Sequence, residues 1–453
     1  MKRSLTALPT HPLRRPARGW RTPALLLAAS LLLASCGGTG TPAVSGAAPG
    51  TGGNVTPGAL VVSVEGAAVV GAFAQSGSLR VRSVSPAGVG AALAAGQAGA
   101  QLSVGTPVAS GSDTLLPVTL GGAALASGGS VQLTVTAGTR QQTVTVTVLG
   151  SASHSIPAGT PYLASAARTQ GQQVLLRAPA SADEASRHSL MRFNPADATF
   201  APLAFPVTGF ETITSHAVSG TDVWVAVRGV SAEGSFLLRR GADGRTQRFL
   251  AGTVETLNNL LVLPDGRVAF TAYGQPQVLL LDPVGGAVSR LPTDGPPDSA
   301  ALGTDGLLYF TRRGDAPAVM QVNPASGQSR AFPVGTPGVS VPGNLNAAPD
   351  GTLWFTESRT GSLWNLDPVS GKQRSVTLPT GTNARAGEVA VAPDGTVWAA
   401  DTVRGDLLRA GPGDTRAVTI DLPAMPGGGP RALTVAAGGT LWFETGGQLG
   451  QIR

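Results

Sequence analysis

"APDGTLWF" at residues 348–355 is matched by "APDGTVWA" at 392–399, "LPDGRVAF" at 263–270, "GTDGLLYF" at 303–310 and "AAGGTLWF" at 436–443. The third residue of each copy (Asp265, Asp305, Asp350, Asp394 and Gly438) lies 40 to 45 residues from the next. Degenerate copies precede them, "VSGTDVWV" at 218–225 and "QGQQVLLR" at 170–177. Seven repeats of this period, each rich in short β runs and turns, predict an all-β chain carrying a seven-bladed β-propeller.

Each copy reads as four strands. An inner strand such as "EVAVAP" (388–393) passes through Asp-Gly, a strong hairpin signal, into a second strand, "TVWAAD" (396–401). A third strand ends in "LDPVSG" (366–371) or a relative, and a fourth resembles "RSVTLP" (374–379). Asp-Gly permits positive φ at both central positions of a tight turn, so it is architecture and not a site. Asp282 and Asp367 fall in turns where the carboxylate bonds nearby backbone N–H groups.

The last copy ends at "LGQIR" (449–453) after its third strand. "HSIPAGTP" (154–161) is similar to the fourth-strand segments "VTLPTGTN" (376–383) and "AFPVGTPG" (331–338), so it is expected to complete the last blade and remove an open edge. The propeller then spans 152–453.

Residues 59–150 carry about seven short β runs and fit a small Ig-like β-sandwich ahead of the propeller. "VQLTVTAGTRQQTVTVTVL" (131–149) alternates apolar and polar residues on both sides of "AGTR", the pattern of a half-buried hairpin. "AGVGAALAAGQAGA" (87–100) is open to a helical reading through its alanines, which its glycines oppose. Residues 37–58, almost free of charge and of large apolar side chains, read as a Gly/Thr/Pro tether.

The front of the chain has the order of an export signal. Lys2, Arg3, Arg14, Arg15, Arg18 and Arg21 precede an apolar run from Ala24 to Ala34, which at about eleven residues is too short for a permanent span. Leu33-Ala34-Ser35-Cys36 resembles the bacterial lipobox, whose cysteine is acylated and becomes the first residue after cleavage. The resemblance implies a signal peptide at 1–35, a mature chain from 36, and a lipid anchor on Cys36 at the cell envelope. Cys36 is the only cysteine, so no disulfide can form within the chain. Six of the 32 basic residues precede Cys36 and no acidic one does, leaving 26 of each sign downstream. A neutral folded part gives no electrostatic footprint for nucleic acid.

"DGTLWFTESRTGSLWNLDP" (350–368) and "DGTVWAADTVRGDLL" (394–408) are similar to the virginiamycin B (streptogramin) lyase family and, less specifically, to NHL-repeat proteins and gluconolactonases. The resemblance covers some 300 residues through structural motifs, and implies the fold more than the reaction. Lyases of that family use a histidine, an acidic residue and magnesium at the propeller mouth. Downstream of Cys36 the histidines are His154, His188 and His216, so the later repeats lack that base. Lyase or hydrolase chemistry is therefore the alternative reading, with Glu388 and His216 as acid/base candidates.

Six residues before the turn position stand Thr214, Asn259, Ser299, Asn344, Glu388 and Ala432, with His216 and Asn346 two residues further on in their copies. They predict a polar ring at the mouth. The rim adds Arg228, Tyr273, Arg312, Arg313, Glu357, Arg359, Asp401, Arg404 and Glu444, groups suited to a polar ligand, a glycan or an envelope-protein segment. Trp224, Trp354, Trp398 and Trp442 share one repeat position and read as packing between blades. No ligand spacing points to a metal, and no cofactor is expected.

Overall fold

The computed structural model describes residues 59–453 apart from 66–67, 83, 158–165, 179–182, 231–233, 252, 380–383 and 423–428. Cys36, the export signal and the tether lie outside the described residues, as does much of the segment 154–161. The described chain is all-β. Its helical elements are one turn at Glu184–Arg187, capped by Asp183, and a 3-10 turn at Ala123–Leu125.

Six four-stranded antiparallel sheets follow one another, called A (166–204), B (212–250), C (257–292), D (297–333), E (342–376) and F (386–420). A seventh set, G, comprises Arg431–Val435, Leu441–Thr445 and Gln448–Ile452. It takes its outer strand from the distant segment 151–155, with Ser155 opposite Gln448 and Ser153 opposite Gly450. The paired residues 151–155 overlap the start of the expected segment 154–161, through His154 and Ser155. First strands of successive sheets pack side by side from A to G, and that of G packs on that of A. This repetition gives a propeller-like fold.

Strand periodicity explains the Trp-Phe pair of the repeat. Neighbours along a strand face opposite sides of its sheet. Trp354 accordingly packs with Val389 and Val397 of sheet F, while Phe355 packs with Ala301 and Tyr309 of sheet D. Trp398 and Phe443 meet between F and G, and Trp442 joins Phe193 of sheet A, ring centroids 5.5 Å apart. Trp224, Trp354, Trp398 and Trp442 are all buried, so each is a wedge between sheets and none is open to a ligand. Arg239, Arg374 and Arg409 lie over three of these indoles.

The Asp-Gly turns differ from the expected two-residue form. Leu263 N–H pairs with Arg267 O and Gly266 N–H with Leu263 O, enclosing a three-residue Pro-Asp-Gly loop. Only the glycine takes positive φ, 86° at Gly266 and 83° at Gly395. The Asp instead accepts the N–H two residues on, as Asp350 Oδ1 does from Thr352 N at 2.9 Å. Asp282 and Asp367 accept from Val284 N and Val369 N, both at 2.9 Å.

Upstream, Val62–Glu65, Gly77–Val81, Asp113–Gly121, Gln101–Val104 and Val108–Ser110 form one sheet. Val89–Leu93 and Gly129–Ala137 form another with the first part of Arg140–Ser155, which Ala68–Gly71 joins in parallel. Leu79, Leu116 and Val118 of the first sheet share a core with Leu133, Val135 and Val146 of the second. The hairpin turns at Gly138-Thr139, where Ala137 faces Arg140. Residues 87–100 are not helical: Val89–Leu93 is a strand that pairs antiparallel with Leu133–Ala137.

The strand Arg140–Ser155 has 16 residues and serves both regions without a break. Its crossing point is crowded. A Cβ on Gly150 would stand 2.5 Å from the Ser127 carbonyl carbon, so only glycine fits. Val69, Phe73 and Leu149 then plug the outer end of the F–G core, with Phe73 and Phe443 ring centroids 5.4 Å apart.

Candidate functional site

The first strands of sheets A and C to G line a cavity of about 440 Å³. Each first strand from B to G carries a register break near the repeat position of Asn259 and Asn344. A bulge re-aims the side chain at the break. At Asn259, Asn344 and Ala432 the backbone enters the left-handed region, φ 53°, 50° and 54°, which asparagine tolerates better than most side chains.

Asn259, Ser299, Asn344, Asn346 and Glu388 all line this cavity. Their polar atoms are also latches to the next sheet. Asn259 Nδ2 donates to Asp298 O at 2.8 Å, and Ser299 Oγ accepts from Leu345 N at 2.9 Å. Asn344 Nδ2 donates to Gly387 O at 3.1 Å, Asn346 Nδ2 to Val389 O at 2.7 Å, and Leu433 N donates to Glu388 Oε2 at 3.0 Å. Thr214 Oγ1 donates to Leu257 O at 2.6 Å, although Thr214 lines an adjoining hollow instead. Five successive boundaries, B–C to F–G, are clasped in this way.

Arg168 of sheet A also lines the cavity, and the repeat frame did not single it out. Its side chain is exposed to the cavity while protein surrounds it, and desolvation lowers its pKa against the opposing pull of Glu388. Among the described residues it donates from Nη1 to Ala167 O at 2.8 Å, which leaves most of the guanidinium fork open. Burial raises the pKa of Glu388, and hydrogen bonds from Leu433 and Ala432 with the charges of Arg168 and Arg431 resist the rise. No ion pair joins Arg168 to Glu388.

His216 is buried and does not line the cavity. Its Nε2 has no hydrogen-bond partner among the described residues. Burial, reinforced by Arg168 and Arg177, holds its pKa well below the ordinary histidine value, against a bond to the backbone of Leu175. Glu388 and His216, the acid/base candidates, therefore stand in different settings: one on the cavity wall, the other sealed against sheet A.

The rim arginines are not one group. Arg312 is buried and closes its own loop, donating from Nε to Ala316 O at 2.7 Å and from Nη1 to Asp294. Arg404 is held by Asp406 at 3.0 Å, and Arg313 by Asp298 at 2.5 Å. Arg359 is exposed, and it is its backbone that makes the local bonds, accepting from Arg385 Nη2 at 2.7 Å. None of Arg312, Arg359 and Arg404 lines the central cavity.

Glu357, Asp401 and Glu444 are buried loop clasps. Glu357 accepts from Val341 N at 2.7 Å and Thr360 N at 2.8 Å; burial pushes its pKa up, but these bonds outweigh that and leave it low. Asp401 accepts from Arg385 N and Val403 N, at 3.2 and 3.0 Å. Glu444 accepts from Arg431 and from Gly447 N.

The adjoining hollow, about 460 Å³, is lined by Arg187, Phe210, Thr212, Thr214, Arg228 and Val230 among others. Among the described residues no three His, Cys, Asp or Glu side chains converge as a metal site. The arrangement at the centre is a polar cavity with one charge of each sign. Comparison with models of known families gives no match to this chain, and comparison with curated proteins gives none either.

Proposed function

We propose that the protein is a lipid-anchored binding protein of the cell envelope that takes a polar ligand, a glycan or a peptide segment through the mouth of a closed seven-bladed propeller. On this reading sheets A to G are the blades, residues 59–150 form a small sandwich that shares its last strand with the ring, and Cys36 carries the anchor. The observation that carries the reading is the central cavity, about 440 Å³, whose wall combines Asn259, Asn344, Asn346 and Glu388 with Arg168. That volume lies within the roughly 300–1,000 Å³ of small-molecule sites, and a few polar groups fixed in place are what orients a ligand.

Proton-transfer chemistry of the streptogramin-lyase type gains less from this geometry, because His216 is not on the cavity wall. The binding reading is tested by screening envelope glycan fragments, peptides and small polar metabolites for thermal stabilisation of the intact protein. A stabilising compound whose effect is lost in Asn346→Ala supports it. Absence of any stabilising compound, or stabilisation indifferent to Asn346→Ala and Glu388→Gln, contradicts it.

A further inference from the structure

We infer that the central cavity selects a small zwitterion, an amino acid or dipeptide, with its carboxylate on Arg168 and its ammonium toward Glu388. The inference rests on the proposed binding role of the cavity and names the ligand class.

The argument starts from charge. Among the described residues, Arg168 and Glu388 are the two charged ones on the cavity wall. They are not paired with each other, and each is answered only by backbone: Arg168 by Ala167 O, Glu388 by the N–H groups of Ala432 and Leu433. A guanidinium with most of its donors open, in a concave site ringed by protein, is an anchor for a planar carboxylate, which it can hold through two parallel bonds.

Glu388 decides against the simplest anion. A phosphate or dicarboxylate in the cavity would bring a second negative charge near a carboxylate that burial already disfavours. A ligand with one carboxylate and one ammonium satisfies both walls and adds no net charge. The neutral remainder of the lining supports the same class. Leu261, Ala301, Ala347 and Val391 offer apolar surface for a short side chain, while the Asn259 and Asn344 amide N–H groups are already committed to neighbouring sheets.

The test titrates the intact protein calorimetrically with L-alanyl-L-alanine, its C-terminal amide, its N-acetyl derivative and inorganic phosphate. The dipeptide is expected to bind more tightly than the other three. Arg168→Gln is expected to weaken it by about tenfold or more, the scale of one charged hydrogen bond. Glu388→Gln, which keeps an acceptor for Leu433 N, is expected to weaken the dipeptide and leave the N-acetyl derivative unchanged. Arg168→Lys, which keeps the charge and loses the fork, should fall between wild type and Arg168→Gln; each variant is first shown to melt cooperatively.

Equal binding of dipeptide and phosphate, or dipeptide binding unaffected by both substitutions, overturns the assignment. Failure of all four probes alongside a different cavity ligand from the thermal screen overturns the zwitterion while leaving the binding role intact. Failure of every compound in both experiments overturns the two together.

Discussion

Asn344 of sheet E donates a hydrogen bond of 3.1 Å from Nδ2 to the carbonyl of Gly387 in sheet F, from a backbone held at φ 50°. A second donation, 3.0 Å to Thr356 Oγ1, fixes the amide within its own sheet. One side chain thus joins two sheets and suits the bulge that aims it. Asn344→Ala should remove both bonds and place alanine in a left-handed conformation, costing about 2–4 kcal/mol in total. Chemical denaturation of wild type and Asn344→Ala measures this; an unchanged midpoint would refute the latch.

His216 makes stability depend on pH in a definite direction. Its folded pKa lies well below the ordinary value of 6.5, and that of His154 is also lowered, by burial first and by Arg453 second. Below about pH 6.5 the unfolded chain binds protons that the folded chain does not, so stability falls with pH. His216 can contribute at most about 1.4 kcal/mol per pH unit. Urea unfolding at several values between pH 5 and 8 should show this loss, and His216→Asn, bearing the residue found at Asn346, should flatten it. An equal slope in both proteins would contradict the assignment.

Trp398 is a structural wedge between sheets F and G, packed with Leu433, Leu441 and Phe443 and covered by Arg409, 5.7 Å from the ring. Trp398→Ala should cost about 3–5 kcal/mol, the range for deleting a large buried aromatic side chain. Ligand affinity of the fraction that remains folded should be unchanged. A variant of wild-type stability with lost binding would return the tryptophan to the site.

Cys36 carries the membrane assignment. Cys36→Ala should move the protein from the membrane to the soluble fraction after cell lysis. Continued sedimentation with membranes would reject the lipid anchor.

What the sequence made legible follows from how each feature is encoded. The Asp-Gly frame and the Trp-Phe alternation are local patterns with a fixed period, so the four-stranded repeat and the burial of Trp354 and Trp398 could be read directly. Arg168 escaped because the polar ring rests on the clearer copies alone: in the degenerate copy at 170–177, which turns at Gly171-Gln172, Arg168 stands four residues before the turn position, as Asn346 and His216 do in theirs. The latching role of Asn259 and Asn344 was hidden for a different reason. Strand period predicts a face, but the register break between Gly343 and Asn346 changes where the intervening side chain points. The rim arginines show the limit of composition: Arg312 is held by Asp294, 18 residues away and brought near by folding, whereas Arg404 is held by Asp406 of its own loop. The hairpin pattern of 131–149 and the edge segment 154–161 give no sign in sequence that one strand, Arg140–Ser155, runs from one into the other.

Ring closure through residues 151–155 is the claim on which the cavity depends, and one cross-link tests it. Ser155 and Gln448, far apart in sequence, face each other across the last sheet. Directly opposed strand residues have Cα atoms about 4.5–5.5 Å apart, within disulfide range. In a Cys36→Ala background, Ser155→Cys with Gln448→Cys should form an intramolecular disulfide on mild oxidation. Mass spectrometry would find it as a linked peptide pair, and the melting temperature should rise. Free thiols after oxidation, or only intermolecular links, would contradict the closed ring.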